Sequence, residues 1–384
     1  MNTSGHVSDS SPAPMLWHDR LSIGLIGLLA VGLTGSRTLC AHAVTQSLSL
    51  CASTLIPALF PFFVLSNLAV ETGFSQRLGS LFAKPMARLF RLPGSTASLF
   101  LLGALGGYPT GARAVVRLYQ QKACSKPEAQ RMLPLCNNCG PGFFFGVVGG
   151  VVLHHTAAGV MLWLVHLFAA FLAAFLCRSK VTVACHIPKT SACAALPQAL
   201  TQAVSGAVQS TLGVCGFVLF FSVLLSLLRY AGLFSLLTSV LSPITGDAVL
   251  LDAFFSGLLE ISCGVTALAT STASPIIKGA IAAFLLSFGG ISVLFQTLQQ
   301  TEDTDLSIRL LVKQKLLQAV FSALFSIPCL HLLFYGIPAF SFSALIRIFP
   351  LCILLFSLFS LVKGKKSRYN TKRNCVKGAS LYDL

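Results

Sequence analysis

Apolar residues in this chain come in long uninterrupted runs separated by short polar breaks, and most of the runs outlast any helical or strand repeat. A run of about 18 residues or more matches the hydrocarbon layer of a bilayer crossed as a helix. Six are read directly: Leu21 to Gly35, which is short, Leu48 to Val70, Val152 to Cys177, Leu212 to Leu228, Leu316 to Phe334 and Phe340 to Val362. In hydrocarbon every backbone N–H and C=O needs a partner within the protein, which makes the helix the natural spanning form for such runs. The pattern predicts an all-α polytopic membrane protein.

Composition strengthens that reading. Of 384 residues, 55% are hydrophobic and 10% charged, against roughly a quarter charged in soluble domains. The mean hydropathy is +0.81. The formal net charge of +16 would suit a nucleic-acid binder if the basic residues gathered on a folded polar surface. They sit instead at the edges of apolar runs, as the positive-inside rule requires. A lipid bilayer is therefore the expected partner, and nucleic acid is not. Lys363, Lys365, Lys366, Arg368, Lys372, Arg373 and Lys377 read as a cytoplasmic tail, with contact to anionic lipid as an added role.

Two features are decoys. Leu21 to Gly35 followed by Ala41-His42-Ala43 has the form of a signal peptide, but the segment before it is long and weakly basic, with Arg20 beside Asp19, which favours an uncleaved first helix. Thirteen cysteines lie mostly inside apolar runs, where a thiol behaves as a small hydrophobe. Cys136 and Cys139 form a lone C-x-x-C, too little for a zinc or redox site. No metal or cofactor is expected.

The most informative feature is an internal duplication. Ile56-Pro57-Ala58-Leu59-Phe60-Pro61-Phe62-Phe63 leads through Glu71-Thr72-Gly73-Phe74 to the glycine-rich Leu102-Gly103-Ala104-Leu105-Gly106-Gly107-Tyr108-Pro109-Thr110-Gly111. About 130 residues on, Phe217-Val218-Leu219-Phe220-Phe221 leads through Tyr230-Ala231-Gly232-Leu233-Phe234 to Ser256-Gly257-Leu258-Leu259-Glu260-Ile261-Ser262-Cys263-Gly264. Each half continues with a hairpin interrupted by small and polar residues, at Asn137-Asn138-Cys139-Gly140-Pro141 and at Ser287-Phe288-Gly289-Gly290, and closes with a long apolar helix. This divides the chain into an N-terminal segment with a first helix (1–43), repeat 1 (44–180), a linker (181–204), repeat 2 (205–336), a last helix (337–363) and a basic tail (364–384).

Charge orients the two copies. Between Glu71 and Arg131 the first holds nine basic residues, Arg77, Lys84, Arg88, Arg91, Arg113, Arg117, Lys122, Lys126 and Arg131; the matching Ala231 to Ala283 holds Lys278 alone against Asp247, Asp252 and Glu260. A bias of that size predicts opposite topology, hence inverted repeats with broken or re-entrant hairpins and a site near the bilayer midplane. Duplication that merely built a stable bundle is the alternative.

Broken backbone in hydrocarbon is tolerable only when buried in protein or lining a wet cavity. The breaks at Gly103, Gly106, Gly107, Pro109, Gly111, Gly140, Pro141, Gly257, Gly264, Gly289 and Gly290 therefore mark either a site or close helix packing. Glu260 is the sharpest site candidate, because a mid-bilayer carboxyl costs about 2.5 kcal/mol or more. It reads as a coupling group, a solute partner, or one half of an internal pair with Arg113. Asn137, Asn138, Tyr108, Thr110, Ser262 and Gln296 would supply neutral donors and acceptors, and Asn137 is expected to approach Glu260 across the centre. His154 and His155 fall at a helix boundary.

Three runs carry a family resemblance: Gly107-Tyr108-Pro109-Thr110-Gly111-Ala112-Arg113, Cys136 to Gly146, and Ser287-Phe288-Gly289-Gly290-Ile291-Ser292-Val293. Over about Leu48 to Phe334 the chain resembles the sporulation integral membrane proteins of the YlbJ type. These are grouped with the nucleoside-recognition or Gate domains of concentrative nucleoside transporters and bacterial ferrous-iron transporters. The resemblance implies two Gate repeats, a bacterial plasma or spore membrane, a cytoplasmic C-terminus, and either permeation of a small polar, nucleoside-like solute with a coupling ion or an assembly role in spore-envelope membranes. A homo-oligomer is compatible with it. Cys139 and Gly140 stand where that family is richer in Ser and Asn. The chain has no H-E-x-x-H, G-x-S-x-G or Walker A run, so no enzyme is expected.

Overall fold

The computed structural model describes residues 17–178 and 195–336; the last expected helix and the basic tail lie outside them. The described residues are helical, with no strand among them. Helix α1 (Trp17–Gly35) and α2 (Arg37–Leu50) are separated at Ser36, and α2 continues through a π-helical turn, Cys51–Leu55, into α3 (Ile56–Glu71). Arg37–Glu71 is thus one 35-residue span, and the expected boundary at 43/44 falls inside α2. Next come α4 (Phe74–Leu81), the single turn α5 (Ala83–Pro85), a π turn at Met86–Phe90, α6 (Ser95–Gly106), α7 (Thr110–Gln120), α8 (Lys126–Cys136), a π-helical stretch Phe143–Val152 and α9 (Thr156–Leu176). The second half contains α10 (Leu196–Tyr230), α11 (Leu233–Thr245), α12 (Ala248–Leu259), α13 (Ile261–Ala267) with a 3-10 turn at Leu268–Thr270, α14 (Pro275–Phe288), α15 (Gly290–Thr301) and α16 (Arg309–Tyr335).

Five helical stretches among the described residues are long and apolar enough to cross a membrane: Arg37–Glu71, Thr156–Leu176, Leu196–Tyr230, Pro275–Thr301 and Arg309–Tyr335. A sixth is the pair Ala83–Phe90 and Ser95–Gly106, bent by 100°. Three of these depart from the sequence reading, the first being the bent pair Ala83–Phe90 and Ser95–Gly106, which corresponds to none of the six apolar runs. Pro275–Thr301 is absent from the six apolar runs because Ser287 to Gly290 interrupts it. Helix α10 begins at Leu196, inside the expected linker 181–204, because Pro197 suits a first helical turn and Ala199, Ala203 and Ala207, all fully buried, let α3 approach closely. Asn67 Nδ2 donates to Ala203 O across that contact at 3.2 Å.

Residues up to His331 form one unit, within which the same order of elements occurs twice. A long helix, a short one, a half-helix ending in a break, a return helix, a second break and a closing long helix describe both α3 to α9 and α10 to α16. Helix α9, with 21 residues, is about 30 Å long, so its two ends mark two faces. At its Cys177 end, Arg178 reaches Leu89 O, Arg131 reaches the Phe90 and Arg91 carbonyls, and Lys126 bonds Asp305 at 2.7 Å. The α7–α8 turn and the α15–α16 connection therefore share one face. At the other end of α9, Leu153 packs close to Gly279 of α14, and Ser271 donates to Asp247 Oδ2 at 2.7 Å. The α13–α14 turn thus lies with the connection that precedes α9. The first face carries Lys84, Arg88, Arg91, Lys122, Lys126, Arg131, Arg178 and Arg309; the second carries Arg37, Lys278 and Arg229, the last paired with Asp252 at 2.7 Å.

Candidate functional site

Four interruptions of helix meet in the middle of this unit. At the first, α6 stops because Gly107 takes φ +69 and ψ −169, a conformation open to glycine and costly with a Cβ. Tyr108 and the cis-bonded Pro109 then lead into α7. At the second, α8 stops at Cys136 and the chain crosses Asn137 to Gly140, all buried. At the third, Glu260 alone is extended (φ −141, ψ 114) between α12 and α13. At the fourth, Gly289 (φ +90) and Gly290 (φ +67) separate α14 from α15.

Backbone groups freed at these breaks are satisfied by the polar side chains around them, as an apolar surrounding demands. Asn138 Nδ2 donates to Leu135 O at 2.7 Å, and the Cys139 N–H donates to His166 Nε2 at 3.3 Å. Tyr108 donates its hydroxyl to Leu286 O at 2.9 Å, tying the first break to the helix that ends at the fourth. Glu260 accepts the Cys263 N–H at 2.7 Å, the N-cap position of α13. The glycines let these backbones touch: a Cβ on Gly103 or on Gly111 would lie 1.7 or 1.9 Å from Cys136 O, and one on Gly264 would lie 2.2 Å from Gly257.

The breaks border a small open cavity of about 40 Å³. Gly106, Gly107 and Tyr108 line it from the first break, Cys139, Gly140 and Gly142 from the second, and Glu260, Ile261 and Ser262 from the third; Val293 and Gln296 come from α15, just beyond the fourth. Leu59, Phe62, Phe63, Leu105, Phe143 and Val214 complete an apolar, aromatic wall. This is the form of a small-molecule site, a mostly apolar concavity with a few polar groups aimed inward.

Of the eight polar candidates, Tyr108, Glu260, Ser262 and Gln296 line the cavity and the other four do not. Asn137 bonds Thr297 at 3.0 Å, next to Gln296 but outside the wall, and its own Oδ1 is buried without a hydrogen-bond partner among the described residues. Asn138 faces α16. Thr110 turns back to Gly106 O at 3.3 Å. Arg113 points along α7 to Gln300, 3.2 Å away, and not to Glu260, so the pairing of those two is corrected: α7 carries Arg113 toward the basic face while Glu260 caps α13 in the interior. Among the glycine and proline breaks, Gly106, Gly107 and Gly140 reach the cavity; Gly103, Gly111, Gly257, Gly264 and Gly290 serve close backbone contact. His155 caps α9 through Ala158 N.

A second polar cluster lies behind Tyr108 and was not foreseen. Lys315 is 1% exposed; its ammonium donates to Asn138 Oδ1 at 3.2 Å and Gln318 Oε1 at 2.9 Å and lies 5.4 Å from the Tyr108 ring centre. Gln318 Nε2 also donates to Asn138 Oδ1 and to His166 O, each at 3.2 Å. His166 Nε2 accepts the Cys139 N–H, so the neutral ring carries its proton on Nδ1 and donates to Ser287 Oγ at 2.7 Å. The sequence signal was faint: Lys315 immediately precedes the apolar run that starts at Leu316 and reads as its basic edge, beside Lys313.

Fold and site together define a polytopic helical membrane protein whose interrupted helices border a largely apolar cavity that a few polar groups line. The chain is 30% identical over 313 residues to the sporulation integral membrane protein YlbJ of Bacillus subtilis (strain 168), covering 74% of this chain and 76% of that relative. It belongs to the family of that protein. No family model matches the chain, and no solved structure does.

Proposed function

We propose that this protein passes a small polar solute across a bacterial membrane through the cavity between two inverted Gate-type repeats. The observation that carries the reading is the convergence of the breaks of both halves on one cavity, which places Glu260, Ser262, Gln296 and Tyr108 among aromatic walls. Inversion is supported by the α7–α8 turn lying with the α15–α16 connection while the α13–α14 turn lies at the far end of α9. The basic face is then cytoplasmic by the positive-inside rule, and the tail beyond Lys363 is cytoplasmic with it, in the plasma or a spore membrane. Broken helices at the midplane are how secondary transporters present backbone dipoles and freed carbonyls to a solute. With no ATP-binding run in the sequence, movement would follow an ion gradient or the solute's own.

The name of the Bacillus relative supports a second reading, a role in assembling membranes during sporulation without permeation. A carboxyl-bearing cavity is a feature assembly does not require, which favours the first. Thermal-shift screening of the purified protein against nucleosides, nucleobases, amino acids and divalent cations separates them. A ligand at 100 times its Kd stabilises the folded state by about 2.7 kcal/mol, and Glu260→Gln should weaken that shift. No shift from any class, together with no uptake into proteoliposomes, would leave assembly as the function.

A further inference from the structure

Lys315 places an amine in the interior, 1% exposed, with no carboxylate in salt-bridge reach among the described residues. The titratable groups that face it are Tyr108 from the first break, Cys136 and Cys139 from the second, and His166 from α9; none supplies a negative charge while its proton is in place. Two amide oxygens and one aromatic face surround the ammonium. That is the donor set a bound monovalent cation would use, oxygens with a π face. Here the chain's own amine fills it.

We propose that Lys315 is a tethered coupling cation, so that the protein exchanges a proton at Nζ where another transporter would bind and release a metal ion. The inference deepens the permeation reading and rests on it. In the charged state the ammonium holds Asn138 of the second break to Gln318 of α16 by charge-assisted hydrogen bonds, the stronger kind. When Nζ gives one proton to water the amine is left neutral, those bonds lose their charge assistance, and the segment beginning at Asn138 is free to shift. Cys139, Gly140 and Gly142 of that segment form a wall of the cavity, so the protonation state and the shape of the solute site are linked. An arginine would not serve, because a guanidinium keeps its proton at any working pH.

A reporter is already in place. Trp163 of α9 packs edge-on against Phe145, with ring centres 5.7 Å apart, and Phe145 follows the second break by a few residues. In the full-length protein carrying Trp17→Phe, reconstituted in vesicles, Trp163 emission should titrate with the steepness of a single proton within the pH range in which the protein stays folded. The transition should vanish in Lys315→Arg and in Lys315→Met, persist in Glu260→Gln, and move its midpoint by about one unit in Gln318→Leu, which removes one partner of the charged form. A transition that survives in Lys315→Arg, or that is lost in Glu260→Gln, overturns the assignment, as does a flat profile in the parent protein. Should both lysine variants misfold, Gln318→Leu decides: an unmoved midpoint overturns the proposal. Uptake into proteoliposomes without this titration defeats the lysine assignment alone, whereas titration without uptake of any solute defeats the permeation reading and the coupling role with it, leaving Lys315 only as the titrating group.

Discussion

Replacing Gly103 by Ala tests whether the breaks are held by backbone contact. An ideal Cβ there lies 1.7 Å from Cys136 O, 2.8 Å from Cys136 C and 3.1 Å from Gly111 Cα. Carbon and oxygen normally rest about 3.3 to 3.6 Å apart, so roughly 1.6 Å of extra separation must open between α6 and the end of α8. All three atoms belong to backbone, so no side-chain rotation can absorb the clash. Overpacking costs about 1–3 kcal/mol where side chains can adjust, and the upper end applies here. At about 2–4 °C per kcal/mol for a chain of this order of size, the melting temperature in detergent should fall by roughly 6–12 °C. The displacement passes directly to Asn137 to Gly140, so ligand-induced thermal shifts should weaken as well. Gly213→Ala is the control, since a Cβ there meets nothing within 4 Å and should cost no stability. A Gly103→Ala protein that melts within a degree or so of the parent and keeps its ligand response would refute the close-contact account of this break.

Glu260→Gln retains an oxygen that can accept the Cys263 N–H and should melt near the parent protein, whereas Glu260→Ala loses the cap of α13 and should cost about 1 kcal/mol; equal melting of the two in scanning calorimetry would remove the capping role. Hydrogen bonds from Lys126 and Tyr119 hold the Asp305 carboxyl below its usual range. A depressed folded-state value means that the tether is present above the unfolded-state value and is lost as pH falls through the depressed one. Protease cleavage between Thr301 and Arg309 should therefore rise only at strongly acidic pH, and Asp305→Asn should raise it at neutral pH. Topology is open to labelling: in a cysteine-free background, an impermeant maleimide outside intact cells should modify Thr272→Cys and spare Lys122→Cys, and the reverse pattern would put the basic face outside.

Much of the architecture is legible in the sequence because the bilayer imposes a one-dimensional rule. A span must be apolar for its whole length, so Leu48 to Val70 and Val152 to Cys177 announce helices without reference to any partner. Glycine marks where helices stop at Gly107 and Gly289, whose positive-φ backbone a residue with a Cβ adopts only at a cost. Recurrence of the same order of runs is the ground for reading two repeats, and Glu260 is conspicuous because a carboxyl in hydrocarbon is costly wherever it points. Direction is what sequence leaves open. Arg113 follows a break directly yet turns away from the interior, and Asn137 follows another yet lies behind the cavity wall, because a residue's place along a helix does not say which way its side chain leaves it. Lys315 stands at the edge of an apolar run, where snorkelling to the surface is the ordinary fate of lysine. Only the packing of α16 against Asn138, 177 positions earlier, turns it inward. Contacts across such separations are set by which helices pack together, and that is decided by small side chains and close backbones acting in three dimensions, not by the period of any one segment.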